Sequence, residues 1–374
     1  MAISVLNQRA GTAAARFDNR NARDLGKLPS LQASVSPFDP AWTFSHHAAI
    51  IRFREKWIAM WSSGRKNEDD PGQRVCFSTS VDFLHWSISR PLMDSRMGRY
   101  SECVLFANGF YSDGETLYAY LRCNEYRPEL LRKNNTLRPE GGTPNAMLPP
   151  VFYAVPTTDG ETWGDPIVIP VGGSQQAAFQ GSNGRWYQFD HNVCLYSDTG
   201  NGLDWKRGPV AKEYQIKARE EGAGTLIENC GCETPDGIIH MLVRAELKQL
   251  WHSESHDGGK TWSPYRETKF YHQHAKFNFG RFPDGRYYII ANEPDYELGC
   301  RMRLYLYLSD DGYRFDRRYT IRDEADYTRQ AAGLYKTGQY GYPYACVDGE
   351  YLAVIYTRCK EVTDATLIRM SDIQ

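Results

Sequence analysis

Apolar and aromatic residues recur along the chain in short runs that are separated by polar turns. The runs are rich in Val, Ile, Tyr, Phe and Trp, which favour strands, and none has a comparably strong helical spacing. Five of them stand directly before a polar turn and read as strands: "RVCFSTS", "VFYAVPTT", "NVCLYSD", "LWHSES" and "LYLYLSD". The pattern therefore predicts an all-β chain.

A second set of runs lies upstream of the first set, and each follows a turn of its own. These runs are "KWIAMWSS", "TLYAYLRC", "RWYQFDHN", "IIHMLVRA" and "RYYIIANE", with a sixth, "EYLAVIYTR", near the C-terminus. One repeat thus reads as strand, turn, strand, longer loop, strand, Asp-Gly turn and aromatic residue. Repeats of about 45–70 residues with several short strands favour a β-propeller, because radial repetition protects the sheet edges.

We count six blades, and an irregular seventh blade at the N-terminus is the alternative. A β-sandwich fits less well because the repeats are too many and too regular. We expect residues 1–44 to close the ring by donating a strand. Residues 45–374 are then expected to form a single propeller domain.

The most recognisable turn is "SHDGGKTW" at residues 255–262, with near-copies at 157–163 and 309–315 and weaker ones at 80–86 and 197–205. Glycine supplies the positive φ of a tight turn. The Asp carboxylate can accept backbone N–H groups within that turn, and the aromatic residue can pack between blades. These residues are therefore expected to stabilise outer hairpins and not to take part in catalysis.

Charge and composition exclude several classes of function. Lys plus Arg number 44 and Asp plus Glu number 46, which leaves no basic field for nucleic acid or a membrane surface. No apolar run approaches the length of about 20 residues that spans a membrane. The N-terminus lacks a signal region, so we expect either a cytoplasmic protein or one whose signal was removed.

Metal and cysteine chemistry receive little support from the sequence. The nine cysteines are scattered and are expected to be free buried thiols. No cofactor is expected. A divalent ion at the acidic run "NEDD", residues 67–70, would lack any recognised ligand spacing.

The "SHDGGKTW" turn resembles the Asp box of the sialidase (neuraminidase) superfamily. The stretches "RAELKQLWHSESHDGGKTW" and "RMRLYLYLSDDG" resemble those in which a sialidase arginine precedes the box. The resemblance runs from about His46 to Arg369 and implies that Arg244 and Arg301 hold the family's arginine positions. It implies the propeller fold more specifically than any reaction.

The Asp-Gly turn after the first strand of a blade marks which residues face the channel, because side chains alternate along a strand. Counting back eight residues from each turn gives Glu228, His47, Lys276 and Tyr340; even offsets add His272, His274, Tyr342 and Tyr344. A bulge would break this register. Their convergence from four blades predicts a polar site, and hydrogen-bonded channel residues without a function are the alternative.

Further candidates lie at strand ends and in loops. Arg74 follows the acidic run in a long loop of the first blade, and Glu102 is expected to begin the first strand of the second blade. Arg244 and Arg301 end strands, and two guanidinium groups can bind a carboxylate in a bidentate fashion. They therefore indicate an anionic sugar, while structural salt bridges are the competing interpretation.

The first blade has "SHHAAIIRF" where a classical sialidase has an Arg-Ile-Pro-like motif. This stretch resembles propeller enzymes that cut rhamnose–glucuronate or ulvan-type linkages, polysaccharide lyases with relatives described as rhamnosidases. That resemblance implies histidine and tyrosine acid–base chemistry. The predicted catalytic residues are His47, Tyr342, His274 and Glu228, and the predicted binding residues are His46, Arg74, Glu102, Arg244, Lys276, Arg301 and Tyr340.

The predicted function is therefore cleavage of a glycosidic bond next to a uronic acid, by a lyase or an atypical hydrolase. The predicted partner is an anionic oligosaccharide or polysaccharide. One alternative is a retaining exo-sialidase that uses Tyr342 with Glu228. The other is a propeller that binds glycans without catalysis.

Overall fold

The computed structural model describes residues 14–130, 147–246, 248–292 and 301–374. Its strands form five four-stranded sheets and one five-stranded sheet. Antiparallel pairing joins neighbouring strands throughout, apart from one parallel strand at the edge of the larger sheet. The sheets are the blades of a six-bladed β-propeller, which confirms the all-β prediction and the six blades counted from the repeats.

The chain divides into two compact units, each with three blades. The first unit comprises Ser30–Gly173 and Ala325–Ser371. The second comprises Met1–Pro29, Ser174–Glu324 and Asp372–Gln374. The predicted boundary between residues 1–44 and 45–374 is a different division, and it stays a prediction.

The first unit holds the first, second and sixth blades. The first blade consists of β3 (Phe44–Phe53), β4 (Lys56–Gly64), β5 (Arg74–Ser80) and β6 (Arg90–Met93). The second consists of β7 (Val104–Ser112), β8 (Leu117–Asn124), β9 (Val151–Thr157) and β10 (Ile167–Ile169). The sixth consists of β23 (Gly341–Asp348), β24 (Tyr351–Arg358), β25 (Val362–Arg369) and β2 (Leu31–Ser36).

The second unit holds the third, fourth and fifth blades. The third consists of β11 (Phe179–Gln180), β12 (Trp186–Asp190), β13 (Val193–Ser197) and β14 (Lys206–Pro209). The fourth consists of β15 (Ile227–Glu233), β16 (Ile239–Arg244), β17 (Gln249–Ser255) and β18 (Arg266–Tyr271). The fifth consists of β19 (Asn278–Arg281), β20 (Tyr287–Asn292), β21 (Leu304–Ser309), β22 (Arg317–Arg322) and β1 (Arg23–Lys27).

Strands from the N-terminal part of the chain join two of these sheets. In the first unit β2 pairs antiparallel with β25, and in the second unit β1 pairs parallel with β22. Helical structure is short: α1 spans Lys212–Ala218, a π-helical turn spans Arg219–Ala223, and 3-10 turns span Pro128–Leu130 and Met370–Asp372. In the described part of the chain no helix is long and apolar enough to cross a membrane.

The middle strands of the blades are buried on both faces. Residues Ile58, Ala59, Met60 and Trp61 follow one another in β4, and none is more than 1% exposed. Such strands read as continuous apolar runs because both faces pack against neighbours. The eight cysteines that the structure describes are all unpaired and buried, as expected.

The Asp-Gly turns connect the third and fourth strands of their blades, and we call them the Asp-box turns. The carboxylate of Asp159 accepts the backbone N–H groups of Glu161 and Thr162, each at 2.8 Å. Asp257 and Asp311 accept pairs of backbone N–H groups in the same way. The bond from Thr162, followed by that from Glu161, holds the pKa of Asp159 well below its usual range. The carboxylates therefore act as turn caps.

The third blade departs from the predicted pattern. The acceptor in its turn is Asn201, whose Oδ1 accepts the backbone N–H groups of Leu203 and Asp204 at 2.8 and 3.1 Å. Asp198 instead pairs with Arg185 and Lys206. An amide oxygen accepts backbone hydrogen bonds as a carboxylate does, so Asn201 performs the role that the sequence pattern suggests for Asp198.

Candidate functional site

The first strands of four blades contain a β-bulge. Pairing shifts register between His46 and Ala49 in β3, and corresponding shifts occur in β7, β15 and β23. At three of these bulges the backbone is left-handed at a residue with a large side chain: φ is 54° at His47, 56° at Glu228 and 57° at Tyr342. In β7 the left-handed position is Gly109.

Left-handed φ is disfavoured for residues with a Cβ, and Glu and Tyr rarely adopt it. Holding such a residue there costs about 1–3 kcal/mol, and strained positions of this kind cluster at functional sites. The bulge adds a residue to the first strand of the blade. Counting alternate residues back from the turn therefore does not identify which side chains face the channel. The residues selected by that count nevertheless include all three strained positions.

The first unit brings five side chains together: His46, His47, Glu68, Tyr342 and Lys360, which we call the histidine–tyrosine cluster. The ring centroid of Tyr342 lies 4.0 Å from that of His46 and 5.8 Å from that of His47. The two imidazole centroids are 4.5 Å apart. His46 is completely buried, whereas His47 is half-buried. His47 is therefore the imidazole that a ligand can reach.

Hydrogen bonds orient both imidazoles. His46 Nδ1 lies 3.0 Å from Thr357 Oγ1, and His47 Nδ1 lies 3.2 Å from Ser62 Oγ. The same Ser62 oxygen accepts the backbone N–H of Ala107 at 3.0 Å. Since a hydroxyl oxygen has two lone pairs, Ser62 can also accept a proton from His47 Nδ1, which makes Nε2 the basic nitrogen.

A buried ion pair adjoins Tyr342. Lys360 Nζ lies 2.9 Å from Glu68 Oε2 and 5.9 Å from the centroid of the Tyr342 ring. Glu68 Oε1 in turn lies 3.9 Å from His46 Nε2. The cluster therefore combines two imidazoles and a phenol with a buried ion pair.

The second unit brings together a different set, the arginine cluster: Glu228, Arg244, His274, Lys276 and Arg301. Arg244 Nη1 forms a buried ion pair with Glu228 Oε2. Arg301 Nη2 donates to the backbone oxygen of His274 at 3.2 Å. Arg244, Arg301 and Lys276 are each less than 10% exposed. Three cationic side chains thus accompany one carboxylate in a poorly solvated place.

Burial shifts the titration of the basic groups in this cluster. Burial, assisted by the positive charge of Arg244, lowers the pKa of His274 to about 4. Burial lowers the pKa of Lys276 to about 8, although Cys230 and Glu228 oppose the shift. His272 is fully buried beside the cluster, and burial likewise holds its pKa well below the usual range. At neutral pH the two histidines are neutral and the charge resides on arginine and lysine.

Two predicted binding residues, Arg74 and Glu102, do not have the positions in the first and second blades that the sequence suggests. Arg74 is the first residue of β5 and not part of a loop; its guanidinium carbon lies 3.6 Å from the Trp42 ring centroid and Nη1 lies 3.5 Å from Asp94. Glu102 precedes β7, which begins at Val104, and its carboxylate is 3.2 Å from Arg65 Nη1. Stacking on Trp42 accounts for the position of Arg74, and surface pairing with Arg65 accounts for that of Glu102.

Tyr340 also differs from its prediction. It lies just before β23, fully buried, with its ring centroid 5.4 Å from that of Tyr356. In the acidic run, Asp70 Oδ2 accepts the backbone and side-chain N–H groups of Asn67. Each of His46, His47 and Glu68 also offers an atom within reach of a common metal ion.

Sequence reasoning missed Lys360, and it considered Glu68 only as part of the acidic run at residues 67–70. Lys360 lies in the turn between β24 and β25 at a φ of 53°, and Cys359 before it has a φ of 50°. Neither is a residue that signals a left-handed turn. The two partners are 292 residues apart in the sequence, so no local pattern joins them.

Comparisons with solved structures agree on the fold. A protein of unknown function from Dyadobacter fermentans has 18% identity and a TM-score of 0.63, with 91% of this chain and 99% of that chain covered. A Trypanosoma rangeli sialidase in complex with sialic acid has 15% identity and a TM-score of 0.60, with 93% and 60% covered. The NanB sialidase of Streptococcus pneumoniae, as a K499G mutant, has 12% identity and a TM-score of 0.60, with 92% and 71% covered.

The chain therefore spans about 60% of the length of the trypanosomal sialidase. A search of the curated proteins found no match. Six blades with Asp-box turns form a β-propeller whose fold is similar to that of the trypanosomal sialidase. The chain belongs to the family of BNR repeat-like domains, whose model matches residues 167–354.

Proposed function

We propose that the protein is a carbohydrate-active enzyme that cleaves a glycosidic linkage next to a uronic acid, with His47 and Tyr342 as its acid–base residues. One observation carries this proposal: both side chains lie at left-handed bulges of first strands, with ring centroids 5.8 Å apart. Strain retained at two ionisable residues that face each other is typical of a catalytic pair.

Elimination next to a uronic acid needs a base, an acid and a neutralised carboxylate. His47 Nε2 removes the proton at C5 while its Nδ1–H donates to Ser62. The electron pair of that C–H bond forms the C4–C5 double bond as the C4–O bond breaks. Tyr342 gives its phenolic proton to the leaving oxygen, and the nearby Lys360 ammonium stabilises the phenolate that results.

The arginine cluster supports an acidic sugar on separate grounds. Two guanidinium groups and one ammonium group lie in it, each side chain less than 10% exposed. Guanidinium groups bind carboxylates in a bidentate geometry, so this cluster suits the carboxylate of an acidic sugar. We assign Arg244, Arg301 and Lys276 to anion binding; catalytic roles for His274 and Glu228 stay predictions.

The test is incubation with glucuronate-containing polysaccharides, followed by ultraviolet absorbance and mass spectrometry of the products. A lyase gives an unsaturated uronate at the new non-reducing end, and the product lacks one water relative to hydrolysis. Saturated products would contradict the elimination, but they would still show that the protein cleaves a glycosidic bond, by hydrolysis. Inactivity on every uronate polysaccharide, with activity on a synthetic sialoside, would overturn the proposal.

A retaining sialosidase is the second candidate, and one observation favours it. Burial raises the pKa of Asp70, although hydrogen bonds from Asn67 oppose the shift. A raised pKa favours the protonated carboxyl group, which is the form that a general acid needs. In this alternative Tyr342 attacks the anomeric carbon as its phenolic proton passes to the adjacent His47, and Asp70 protonates the leaving oxygen. Release of free sialic acid by the wild type, and its loss in Asp70→Asn, would favour it.

A further inference from the structure

Three ionisable side chains lie on one face of the fourth blade, away from the residues assigned above. His240 belongs to β16, and His252 and Glu254 belong to β17. His240 pairs directly with Glu254, while His252 pairs with Leu242, two residues further along β16. Directly paired residues and residues two apart share a face of a sheet. The three side chains therefore point the same way, next to the Asp-box turn at 255–262.

Their ligand atoms have the spacing of a metal site. His240 Nδ1 lies 2.8 Å from His252 Nε2, and each of these nitrogens lies 3.9 Å from Glu254 Oε2. The circle through a triangle with these sides has a radius of about 2.1 Å, which matches zinc–nitrogen and zinc–oxygen distances of about 2.0–2.2 Å. One ion in the plane of the three atoms can thus contact all of them; the two nitrogens now share a hydrogen bond and must move apart for the tetrahedral geometry that zinc prefers.

Burial removes the polar groups of this face from water. The side chains of His240, His252 and Glu254 are at most 1% exposed. Among the described residues, Glu254 Oε2 and His252 Nδ1 are buried without a hydrogen-bond partner. A buried carboxylate oxygen without a donor is costly. A cation at the centre of the three atoms would remove that cost.

Outer contacts orient two of the three groups. His240 Nε2 lies 2.9 Å from both Thr234 Oγ1 and Tyr313 OH, and Glu254 Oε1 lies 3.1 Å from His256 Nε2. Such partners fix the ring and carboxylate that ligate a metal.

We propose that His240, His252 and Glu254 bind a zinc-class divalent ion that stabilises the fourth blade. Two imidazoles and one carboxylate suit zinc, whereas calcium and magnesium prefer all-oxygen sites. The burial of all three ligands points to a structural ion and not to a catalytic one. The group formed by His46, His47 and Glu68 is the weaker candidate, because Glu68 already pairs with Lys360.

The experiment strips the protein with a chelator and titrates it with Zn²⁺ alone against a chromophoric competitor. We expect one tightly bound equivalent per chain and a higher melting temperature with zinc. Glu254→Gln should weaken zinc binding at least about 100-fold, and Tyr313→Phe, which removes one orienting hydroxyl, should weaken it about tenfold. X-ray absorption of the zinc form should show nitrogen and oxygen neighbours at about 2.0–2.2 Å.

Glu68→Gln is the matched control, since it removes the carboxylate of the other candidate group. It should bind zinc as tightly as the wild type does. Absence of zinc binding by the wild type would overturn the proposal, as would loss of zinc in Glu68→Gln with retention in Glu254→Gln. If Glu254→Gln does not fold, the wild-type absorption spectrum and Tyr313→Phe decide the matter.

Discussion

The Asp-box turns and the first-strand bulges both recur from blade to blade, and both use left-handed backbone. In three of the turns that conformation falls on glycine, at Gly160, Gly259 and Gly312, with φ of 72°, 82° and 81°; in the turn of the first blade it falls on Phe83, with φ of 69°. In three of the bulges it falls on His47, Glu228 and Tyr342. Glycine therefore predominates at the left-handed positions of the turns, and large ionisable side chains predominate at those of the bulges.

Glycine adopts positive φ at no steric cost, so its use in the turns is what stability alone would select. A residue with a Cβ pays about 1–3 kcal/mol for the same conformation. The bulges thus retain strain at ionisable side chains, whereas the strained residue of the first-blade turn, Phe83, carries no ionisable group. The turns are more recognisable in the sequence, yet their carboxylates accept only hydrogen bonds that close the turn.

The largest expected effect is on catalysis at a bulge. His47→Asn should lower turnover of the cleaved polysaccharide about 10²–10⁴-fold, because the general base is lost while asparagine tolerates the left-handed backbone. Initial rates of product formation measure this effect. His85→Asn is the control: His85 lies in the Asp-box turn of the same blade, where it contacts Asp82. Equal turnover in His47→Asn and wild type would remove His47 from the mechanism.

The second effect is on stability at a bulge. Arg244→Met leaves the carboxylate of Glu228 buried without its ion-pair partner, and breaking a buried pair costs about 3–5 kcal/mol. Denaturant unfolding should show a loss of this size. The double variant Arg244→Met with Glu228→Gln should recover much of it, because the uncompensated charge is then absent. A double variant no more stable than the single one would contradict this explanation.

A smaller effect is expected in a turn. In Gly259→Ala the new Cβ lies 3.1 Å from both Cys194 Sγ and Tyr187 Cε1, and the alanine must adopt a disfavoured φ. The free energy of unfolding should therefore fall by about 1–3 kcal/mol. Turnover per folded molecule should stay unchanged. Gly184→Ala, at a φ of 78° with nothing within 4 Å, should lose less because it carries only the backbone strain. Equal losses would mean that packing does not matter at Gly259.

The smallest effect concerns pH. Burial lowers the folded-state pKa of His272 and His274, the latter to about 4, while unfolded histidine titrates at about 6.5. The unfolded chain therefore binds more protons in this window, and the free energy of unfolding should fall as pH drops from about 6.5 towards 4. Denaturation midpoints across this range measure the slope, which His274→Gln should reduce. An unchanged slope in that variant would show that His274 does not contribute to the pH dependence of the free energy of unfolding.

Much of the fold was predictable because it depends on local chemistry: apolar runs, Asp-Gly turns and aromatic residues recur within each repeat. The candidate site was only partly predictable. Residues such as His47 and Glu228 were found by counting from a turn, but the bulges that shape them depend on pairing between strands. The contact between Glu68 and Lys360, and the substitution of Asn201 for the turn aspartate, have no local signal at all.

The most direct test of the account is the turnover of Tyr342→Phe on the cleaved polysaccharide, measured alongside its melting temperature. The variant removes one oxygen atom and keeps the ring that packs against His46. We predict that turnover falls at least about 100-fold because the proton donor is lost, while the melting temperature changes little. Wild-type turnover in this variant would show that the strained first-strand residues do not carry the chemistry.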